Sequence, residues 1–297
     1  MQSEFKKGKI TKFEELQIYE ASIQMTKPRL LVFAGAGASV DSGLSTFRSV
    51  EGVTPDGNIT MWGGEDVNTV CSYGKWRLAN YQKRRGTFDT LRRIHNFYKI
   101  IQDQIKTAQP NTFHHYVANL IKENRYDVTV LTTNIDDLFE RAGVPSSRIL
   151  HLHGSIFKRR CAVCDYVFHD TTSIWKVPED VQLCPRPNCQ SRLVKTDVTF
   201  YGEKCSNYLI GAQVFSRLKA GDSMIMVGAS GETFSHAQRL WAKCRRRHVH
   251  SIHINPSQGP HEKYPSDYSM IDTVKTSIDA LDFHLRLRST VSEVLYE

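Results

Sequence analysis

Four cysteines of this 297-residue chain have the spacing of metal ligands. Cys161 and Cys164 are separated by two residues, and a second pair, Cys184 and Cys189, has four residues between its members. Two such pairs can bring four thiolates onto one ion, and a complete set of sulfur ligands is typical of structural zinc. We therefore predict one zinc ion that stabilises the fold and takes no part in a reaction.

Polar residues suited to catalysis follow two other apolar runs. His151 and His153 end the run 149–153, where alternation along a strand puts both rings on the same face. A neutral imidazole there can accept a proton from a hydroxyl group. Asn134 and Asp136 follow the run 128–133, and an amide or a carboxylate there can bind a ribose or a carboxamide. The residue types alone do not decide which histidine is catalytic.

A loop of small residues follows the apolar run 30–34 and contains glycines at positions 35, 37 and 43. Glycine permits backbone angles and close approaches that a Cβ atom would block, and junctions between a strand and such a loop can bind a pyrophosphate. Ser39 and Ser42 add hydroxyl donors. The glycine spacing differs from that of ordinary dinucleotide folds, so by itself the loop indicates either a phosphate site or a structural turn.

Alternating strands and helices are predicted to position these residues. Continuous apolar or β-branched runs predict strands, and the spacing of apolar residues over 88–105 predicts an amphipathic helix. The strands are predicted over 30–34, 128–133, 149–153, 198–201, 224–228 and 250–255, and further helices over 112–124, 137–142, 234–247 and 273–294. This order predicts an α/β fold with a doubly wound, Rossmann-like parallel sheet that binds ligands at the carboxyl ends of its strands.

Two insertions interrupt that pattern and are predicted to form a smaller domain. Residues 55–108 are predicted to be a mainly helical insertion, and 158–196 a zinc-ribbon module with too few apolar residues for a core of its own. We expect an N-terminal extension over 1–28 and one domain over 29–297. Its Rossmann-like lobe would comprise 29–54, 109–157 and 197–297.

Charge and composition restrict the partners. The net charge of +8 is concentrated in short basic runs that are not interleaved with aromatic residues, so nucleic-acid binding is unproven. The longest apolar runs are strand-sized, which predicts no membrane partner. Seven cysteines, an odd number, argue against a secreted disulfide framework. An intracellular location is expected, without a distinction between cytoplasm and nucleus.

Ordered motifs over residues 28–257 resemble those of the sirtuins, the NAD-consuming protein deacylases. In chain order they are the loop 35–48, the segment 132–136, His153-Gly154 followed by Cys161, the four spaced cysteines, the segment 200–203, the segment 228–230 and Asn255. The resemblance implies an NAD-dependent protein-lysine deacylase whose partner is an acyl-lysine protein or peptide.

The resemblance also implies roles for individual residues. His153 would be the catalytic base that deprotonates a ribose hydroxyl, with Asn134 as the second catalytic residue, and the products would be free lysine, nicotinamide and O-acyl-ADP-ribose. The zinc would stand apart from these steps. The residues implied to bind the co-substrate NAD are Gly35, Ala36, Gly37, Ser39, Ser42, Gly43, Phe47, Arg48, Thr133, Asn134, Ile135, Asp136, His153, Gly228, Ala229, Ser230 and Asn255.

Three departures from the family pattern leave alternatives open. Thr46 replaces an aspartate, Thr133 replaces a glutamine, and Thr196, Ser235 and Ala229 stand where the family usually has two prolines and a threonine. The segments 132–138 and 151–154 are similar to those of sirtuin-like NAD glycohydrolases and ADP-ribosyltransferases. A non-enzymatic sensor of NAD or ADP-ribose is a third reading. The four cysteines and Phe47-Arg48 favour the deacylase over these relatives, and the presence of His153 argues against the sensor.

The family's Tyr-x-x-Arg pair, which binds acidic acyl groups, is here Tyr98 followed by Ile101. An acetyl or a longer apolar acyl group is therefore expected in preference to succinyl.

Overall fold

The structure is a computed structural model that describes residues 27–45, 60–61, 65–81, 87–205, 207–229 and 237–294. The strands are β1 (Arg29–Ala34), β2 (Thr60–Met61), β3 (Glu65–Asp66), β4 (Asp127–Thr132), β5 (Ile149–His151), β6 (Lys158–Cys161), β7 (Val167–His169), β8 (Val194–Thr196), β9 (Ser223–Val227), β10 (His250–Ile254) and β11 (Tyr268–Met270). The α-helices are α1 (Val67–Val70), α2 (Tyr73–Tyr81), α3 (Thr87–Thr107), α4 (Thr112–Glu123), α5 (Leu138–Arg141), α6 (Asn207–Arg217), α7 (Ala237–Arg246), α8 (Gln258–Lys263) and α9 (Val274–Val294).

A six-stranded parallel sheet forms the main layer, with the strand order β11-β10-β9-β1-β4-β5. The chain leaves β1 toward β4 on one side and leaves β9 toward β10 on the other. The direction of winding therefore reverses between β1 and β9, and open α/β sheets bind ligands in the crevice at such a reversal. The predicted doubly wound sheet is confirmed.

Both faces of this sheet are covered, which explains why its strands are continuously apolar. Leu30 and Val32 pack on one face in a core that includes residues of α4 and α9. Leu31 and Phe33 alternate to the other face and pack with residues of α6 and α7. The carboxyl ends of the strands are consequently held in fixed register, with Phe33 level with Leu131 of β4 and Met226 of β9.

A smaller unit combines helices and a second sheet. Helix α3 presents Ile94, Phe97 and Ile101 to a core that also contains Phe200. Strands β7, β6 and β8 form an antiparallel sheet beside the cysteine cluster. Which residues belong to each domain stays a prediction.

Several local features differ from the expectations, and helix α8 and the short strands β2 and β3 are among the elements that were not predicted. The segment 198–201 is not a strand, because its amides bond to isolated carbonyls: Thr199 N donates to His153 O at 2.9 Å, and Tyr201 N to Cys71 O at 2.7 Å. Helix α6 and the edge strand β11 were not predicted. Strand β11 has three residues and two of them are exposed, so it has no hydrophobic pattern to reveal it.

None of the helices in the described ranges is long and apolar enough to cross a membrane.

Candidate functional site

Glycines from two loops meet at the carboxyl edge of the sheet. Gly35 N donates to Val227 O and Gly37 N to Gly228 O, both at 2.9 Å. A Cβ atom on Gly35 would lie 2.6 Å from the Cα of Ala229, and one on Gly37 would lie 2.6 Å from the Cα of Gly228. The glycines are thus required for the packing of the loop after β1 against Gly228 and Ala229.

A buried chain of hydrogen bonds joins the loop after β1 to the segment after β4. Asn134 Nδ2 donates to Ser39 Oγ at 3.1 Å, and Ser39 Oγ donates to Asp136 Oδ2 at 3.0 Å. All three residues are buried. Burial raises the pKa of Asp136, and the bonds from Leu138 N and Ser39 oppose that rise. Ser39 therefore fixes the positions of an amide and a carboxylate beside the glycine loops.

The two candidate histidines have different environments. His151 Nε2 lies 2.9 Å from Glu140 Oε1, and its Nδ1 lies 3.0 Å from Asn134 O. Burial lowers the pKa of His151, but the hydrogen bond and charge of Glu140 outweigh it and leave the pKa raised. Protein atoms thus hold both ring nitrogens of His151, and Nε2 is in an ion pair with Glu140. This arrangement suits a structural role.

His153 contacts a backbone carbonyl with one ring nitrogen and a side-chain hydroxyl with the other. Its Nδ1 lies 3.0 Å from Thr133 O and its Nε2 lies 2.9 Å from the hydroxyl of Tyr208. A carbonyl oxygen can only accept, so Nδ1 carries the proton and Nε2 bears the lone pair. Nε2 accepts from the Tyr208 hydroxyl, which places a basic nitrogen at the ligand-binding edge of the sheet.

Gly154 explains how the chain turns after His153. Its φ is +78°, and a Cβ atom there would lie 1.8 Å from Asp197 O. No side chain fits, because the segment leading into 198–201 passes directly over this residue. Asp197 is itself held by Arg160 Nε at 2.7 Å. Gly154 thus couples the predicted catalytic histidine to the smaller unit.

Three more of the predicted nucleotide-binding residues follow β1, β4 and β10 in the chain. Gly43 ends the short 3-10 helix Ala36–Ser42 in a left-handed conformation. Ile135 O accepts from Ile156 N at 3.1 Å. Asn255 follows β10, and its Nδ2 lies 3.4 Å from Ala229 O. Phe47, Arg48 and Ser230, and the departures at Thr46 and Ser235, lie outside the described residues.

The crevice has polar groups that suit NAD. Ser42 Oγ is buried and has no hydrogen-bond partner within the described ranges. Ser39, Asn134 and Asn255 add hydroxyl and amide groups of the kind that bind ribose and phosphate oxygens. The residues present therefore fit the dinucleotide.

The four predicted zinc ligands converge. The Sγ atoms of Cys161 and Cys189 are 3.7 Å apart, as are those of Cys164 and Cys184, and all four lie within 4.8 Å of one another. A tetrahedron with Zn–S bonds of ~2.3 Å has sulfur atoms ~3.8 Å apart. The cluster therefore fits one structural zinc ion with no position for substrate.

Two contacts of the site were not predicted from the sequence. Tyr208 lies 55 residues after His153, and Glu140 lies 11 residues before His151. Tyr208 is on the unpredicted helix α6, and no local pattern connects either pair. Only the convergence of strand ends in the folded sheet brings them together.

Comparison with known proteins agrees with this geometry. The family model described as the Sir2 family matches residues 70–235. An NAD-dependent protein deacylase of Helicobacter hepaticus is 32% identical over 69% of this chain and 75% of its own length. The NAD-dependent protein deacylase Sir2 of Mycolicibacterium smegmatis is 30% identical over 85% of this chain and 93% of its own. A solved complex of a mutant Sir2 homologue with 2′-O-acetyl ADP ribose is 26% identical, with a TM-score of 0.64 over 90% of this chain and 96% of that one.

Proposed function

Because this chain belongs to the Sir2 family, we propose that it is an NAD-dependent protein-lysine deacylase that releases nicotinamide and O-acyl-ADP-ribose. One observation carries the proposal. The basic Nε2 of His153 and the buried Ser39–Asn134–Asp136 chain lie at the same edge of the sheet, beside the interlocked glycine loops. A base next to a nucleotide crevice is what acyl transfer to a ribose hydroxyl requires.

His153 is proposed to be the base. Nδ1 stays protonated because it donates to Thr133 O, so the imidazole can accept a proton only at Nε2. The Tyr208 hydroxyl donates to Nε2, and a ribose hydroxyl has to replace it there for the proton transfer. NAD, when bound, supplies the ribose that receives the acyl group. Thr133 thus acts through its main-chain oxygen. This contact does not require the side chain of the glutamine that the family usually has at this position.

The residues around the crevice are proposed to bind NAD. Ser42, Ser39 and Asn134 offer hydroxyl and amide groups, and Asn255 borders the opposite end of the crevice beside Ala229. The proposal extends to the rest of the implied binding residues, including Phe47, Arg48 and Ser230. The zinc ion is proposed to hold β6–β8 together and to take no part in the transfer.

An apolar acyl group is proposed for the lysine substrate. Tyr98 stacks on Phe200, with ring centres 5.2 Å apart, and Ile101 is buried one turn further along α3. The cation between them in sequence, Lys99, is bonded to Gln102 and lies 3.8 Å from Asp103. No described side chain of α3 therefore offers a free cation to an acidic acyl group at this point.

An intracellular location is proposed on the state of the cysteines. All seven are free of disulfide bonds, as expected in a reducing compartment.

The test incubates the zinc-loaded protein with NAD, with and without an acetyl-lysine peptide, and measures the nicotinamide released from NAD. Release that needs the peptide, with O-acetyl-ADP-ribose among the products, is expected. His153→Ala should abolish it while NAD still binds, and His115→Ala, which removes an exposed histidine, should not. Equal release without peptide would refute the deacylase and identify an NAD glycohydrolase or ADP-ribosyltransferase. A succinyl-lysine peptide turned over faster than the acetyl one would overturn the acyl proposal.

A further inference from the structure

A buried lysine in the zinc-binding sheet takes part in no step of the proposed reaction. Lys195 lies in β8 and is 4% exposed, and Val194 beside it packs with the cysteine cluster. The Nζ atom of Lys195 lies 3.0 Å from Glu203 Oε2. It also donates to Val198 O at 2.6 Å and to Thr196 O at 3.1 Å. A buried charge is costly unless it is paired and hydrogen-bonded, and this ammonium group meets both conditions.

The bonds of Lys195 indicate that it holds protein atoms in place and does not contact a substrate. A lysine ammonium group carries three N–H donors. Two main-chain oxygens and the carboxylate of Glu203 accept these three donors. Burial lowers the pKa of Lys195, and the charge and hydrogen bond of Glu203 oppose that fall. A direct catalytic role for the amine is therefore not supported by its contacts.

The carboxylate of Glu203 ties the ion pair to the segment 198–203. The oxygen that pairs with Lys195, Oε2, also accepts from Phe200 N at 2.8 Å. The same ammonium group is bonded to Val198 O at the beginning of the segment and to Glu203 at its end. The segment is thus closed into a loop around one buried charge. Charge-assisted hydrogen bonds are stronger than neutral ones, so this loop is firmly held.

The segment contacts both the predicted base and the residues proposed to receive the acyl group. Thr199 N donates to His153 O at 2.9 Å. The ring of Phe200 stacks on that of Tyr98, with ring centres 5.2 Å apart. The ammonium group of Lys195 lies 4.4 Å from the centre of the Phe200 ring, a distance at which the ring attracts a cation. The position of Lys195 therefore influences those of the Phe200 ring and the His153 main chain.

We propose that Lys195 and Glu203 are positioning residues for the acyl-lysine substrate. This inference rests on the proposed deacylase function. The ion pair holds the segment 198–203 so that the Phe200 ring and the His153 main chain keep the positions in which the acyl-lysine binds. Because Lys195 belongs to β8, the pair also connects the zinc-binding sheet to the substrate site.

The test uses the full-length, zinc-loaded protein and two variants that keep the side-chain bulk. Lys195→Met removes the ammonium group and Glu203→Gln removes the carboxylate charge, whereas Lys219→Met, at an exposed lysine, is the matched control. We expect the KM for an acetyl-lysine peptide to rise about tenfold in both test variants, the effect of losing one charge-assisted hydrogen bond. The Kd for NAD should stay within about twofold of wild type, because the atoms bonded to the pair belong to residues that are not proposed to bind NAD.

Hydrogen exchange at the amides of residues 199–201 provides a readout that does not depend on activity. All three amides are hydrogen-bonded in the protein, and they should exchange about tenfold faster in both test variants. The amides of β9 should exchange as in wild type, because the effect is local. Unchanged exchange at 199–201 would overturn the proposal. Equally faster exchange in β9 would overturn it as well, since the pair would then stabilise the whole fold.

The wild-type protein separates this inference from the proposed function. If the peptide causes no release of nicotinamide, the deacylase function fails, and the role of Lys195 toward its substrate fails with it. If the peptide does cause release, but both test variants have the same peptide KM as Lys219→Met, the deacylase function stands and the role of Lys195 and Glu203 is refuted.

Discussion

Removal of the Ser39 hydroxyl is the most informative single change at the site. Its oxygen accepts from Asn134 Nδ2 at 3.1 Å and donates to Asp136 Oδ2 at 3.0 Å, and the side chain is 2% exposed. Ser39→Ala keeps the backbone and leaves two buried polar atoms without this partner. Because water does not reach the position, neither atom regains a bond from solvent.

The cost follows from those two bonds. A hydrogen bond to a charged group contributes about 1.5–3 kcal/mol and an unsatisfied buried amide costs about 1–3 kcal/mol, but partial relaxation makes the sum less than additive. We expect a loss of about 2–4 kcal/mol, which for a chain of 297 residues corresponds to a fall in Tm of about 3–7 °C. The pKa of Asp136 is raised by burial, so its carboxyl takes a proton in the folded state before it does in the unfolded chain. The Ser39 bond to the charged form is then lost, and the penalty should shrink as pH falls toward that pKa.

The assay combines thermal unfolding with calorimetric measurement of the Kd for NAD. Ser39→Ala should lower Tm as stated and weaken NAD binding, because Asn134 is no longer held. Ser147→Ala, which removes an exposed hydroxyl, is the matched control and should change neither quantity. A Tm for Ser39→Ala equal to that of Ser147→Ala would show that the buried chain does not organise the site.

Three further perturbations test separate parts of the fold. Glu140→Gln removes the ion pair that raises the pKa of His151 and lowers that of Glu140. The stability that this ion pair contributes is lost as pH rises through the raised His151 pKa, and also as pH falls below the usual carboxyl range. The difference in Tm between Glu140→Gln and wild type should therefore be larger at pH 5.5 than at pH 8.5. Equal differences at the two pH values would contradict this reasoning. Gly154→Ala and Gly202→Ala both place a side chain at φ +78°. Among the described residues, the first side chain meets Asp197 O at 1.8 Å and the second meets no atom within 4 Å. In urea unfolding, Gly202→Ala should lower the free energy of unfolding by about 1–2 kcal/mol, and Gly154→Ala should lower it by several kcal/mol more. Similar losses for the two variants would refute the steric argument. Metal analysis should find one zinc per chain, and chelation should lower Tm; a zinc-free protein of equal stability would contradict the structural role.

The parts of the fold that could be predicted are those with a strong local pattern. The amphipathic period predicted α3, observed over Thr87–Thr107, and the apolar run at 30–34 predicted β1. The four cysteines could be assigned to one metal site because their paired spacing along the chain is typical of zinc ligands. The loop after β1 was also found, although its glycines turn out to fit against Gly228 and Ala229.

The parts that could not be predicted depend on contacts between distant residues. The run 198–201 has a β-rich composition, but its neighbours in space are isolated carbonyls and not a strand. A β-rich composition reflects burial, and a buried segment outside a sheet has the same kind of composition as a buried strand. Tyr208 and Glu140 fix the two histidines from other elements, and neither stands out in the sequence as more than an ordinary helix residue.

The interlocked glycines of the two loops have a consequence for how the crevice can vary. Gly35, Gly37 and Gly228 touch one another through main-chain atoms, so none has a side chain that could be trimmed to make room for a methyl group on another. A substitution at one position has no compensating substitution at the other two. Residues 35–37 and 228–229 must also move as one body, so the part of the crevice rim that they form is preformed, and a ligand that binds there loses little ordering entropy.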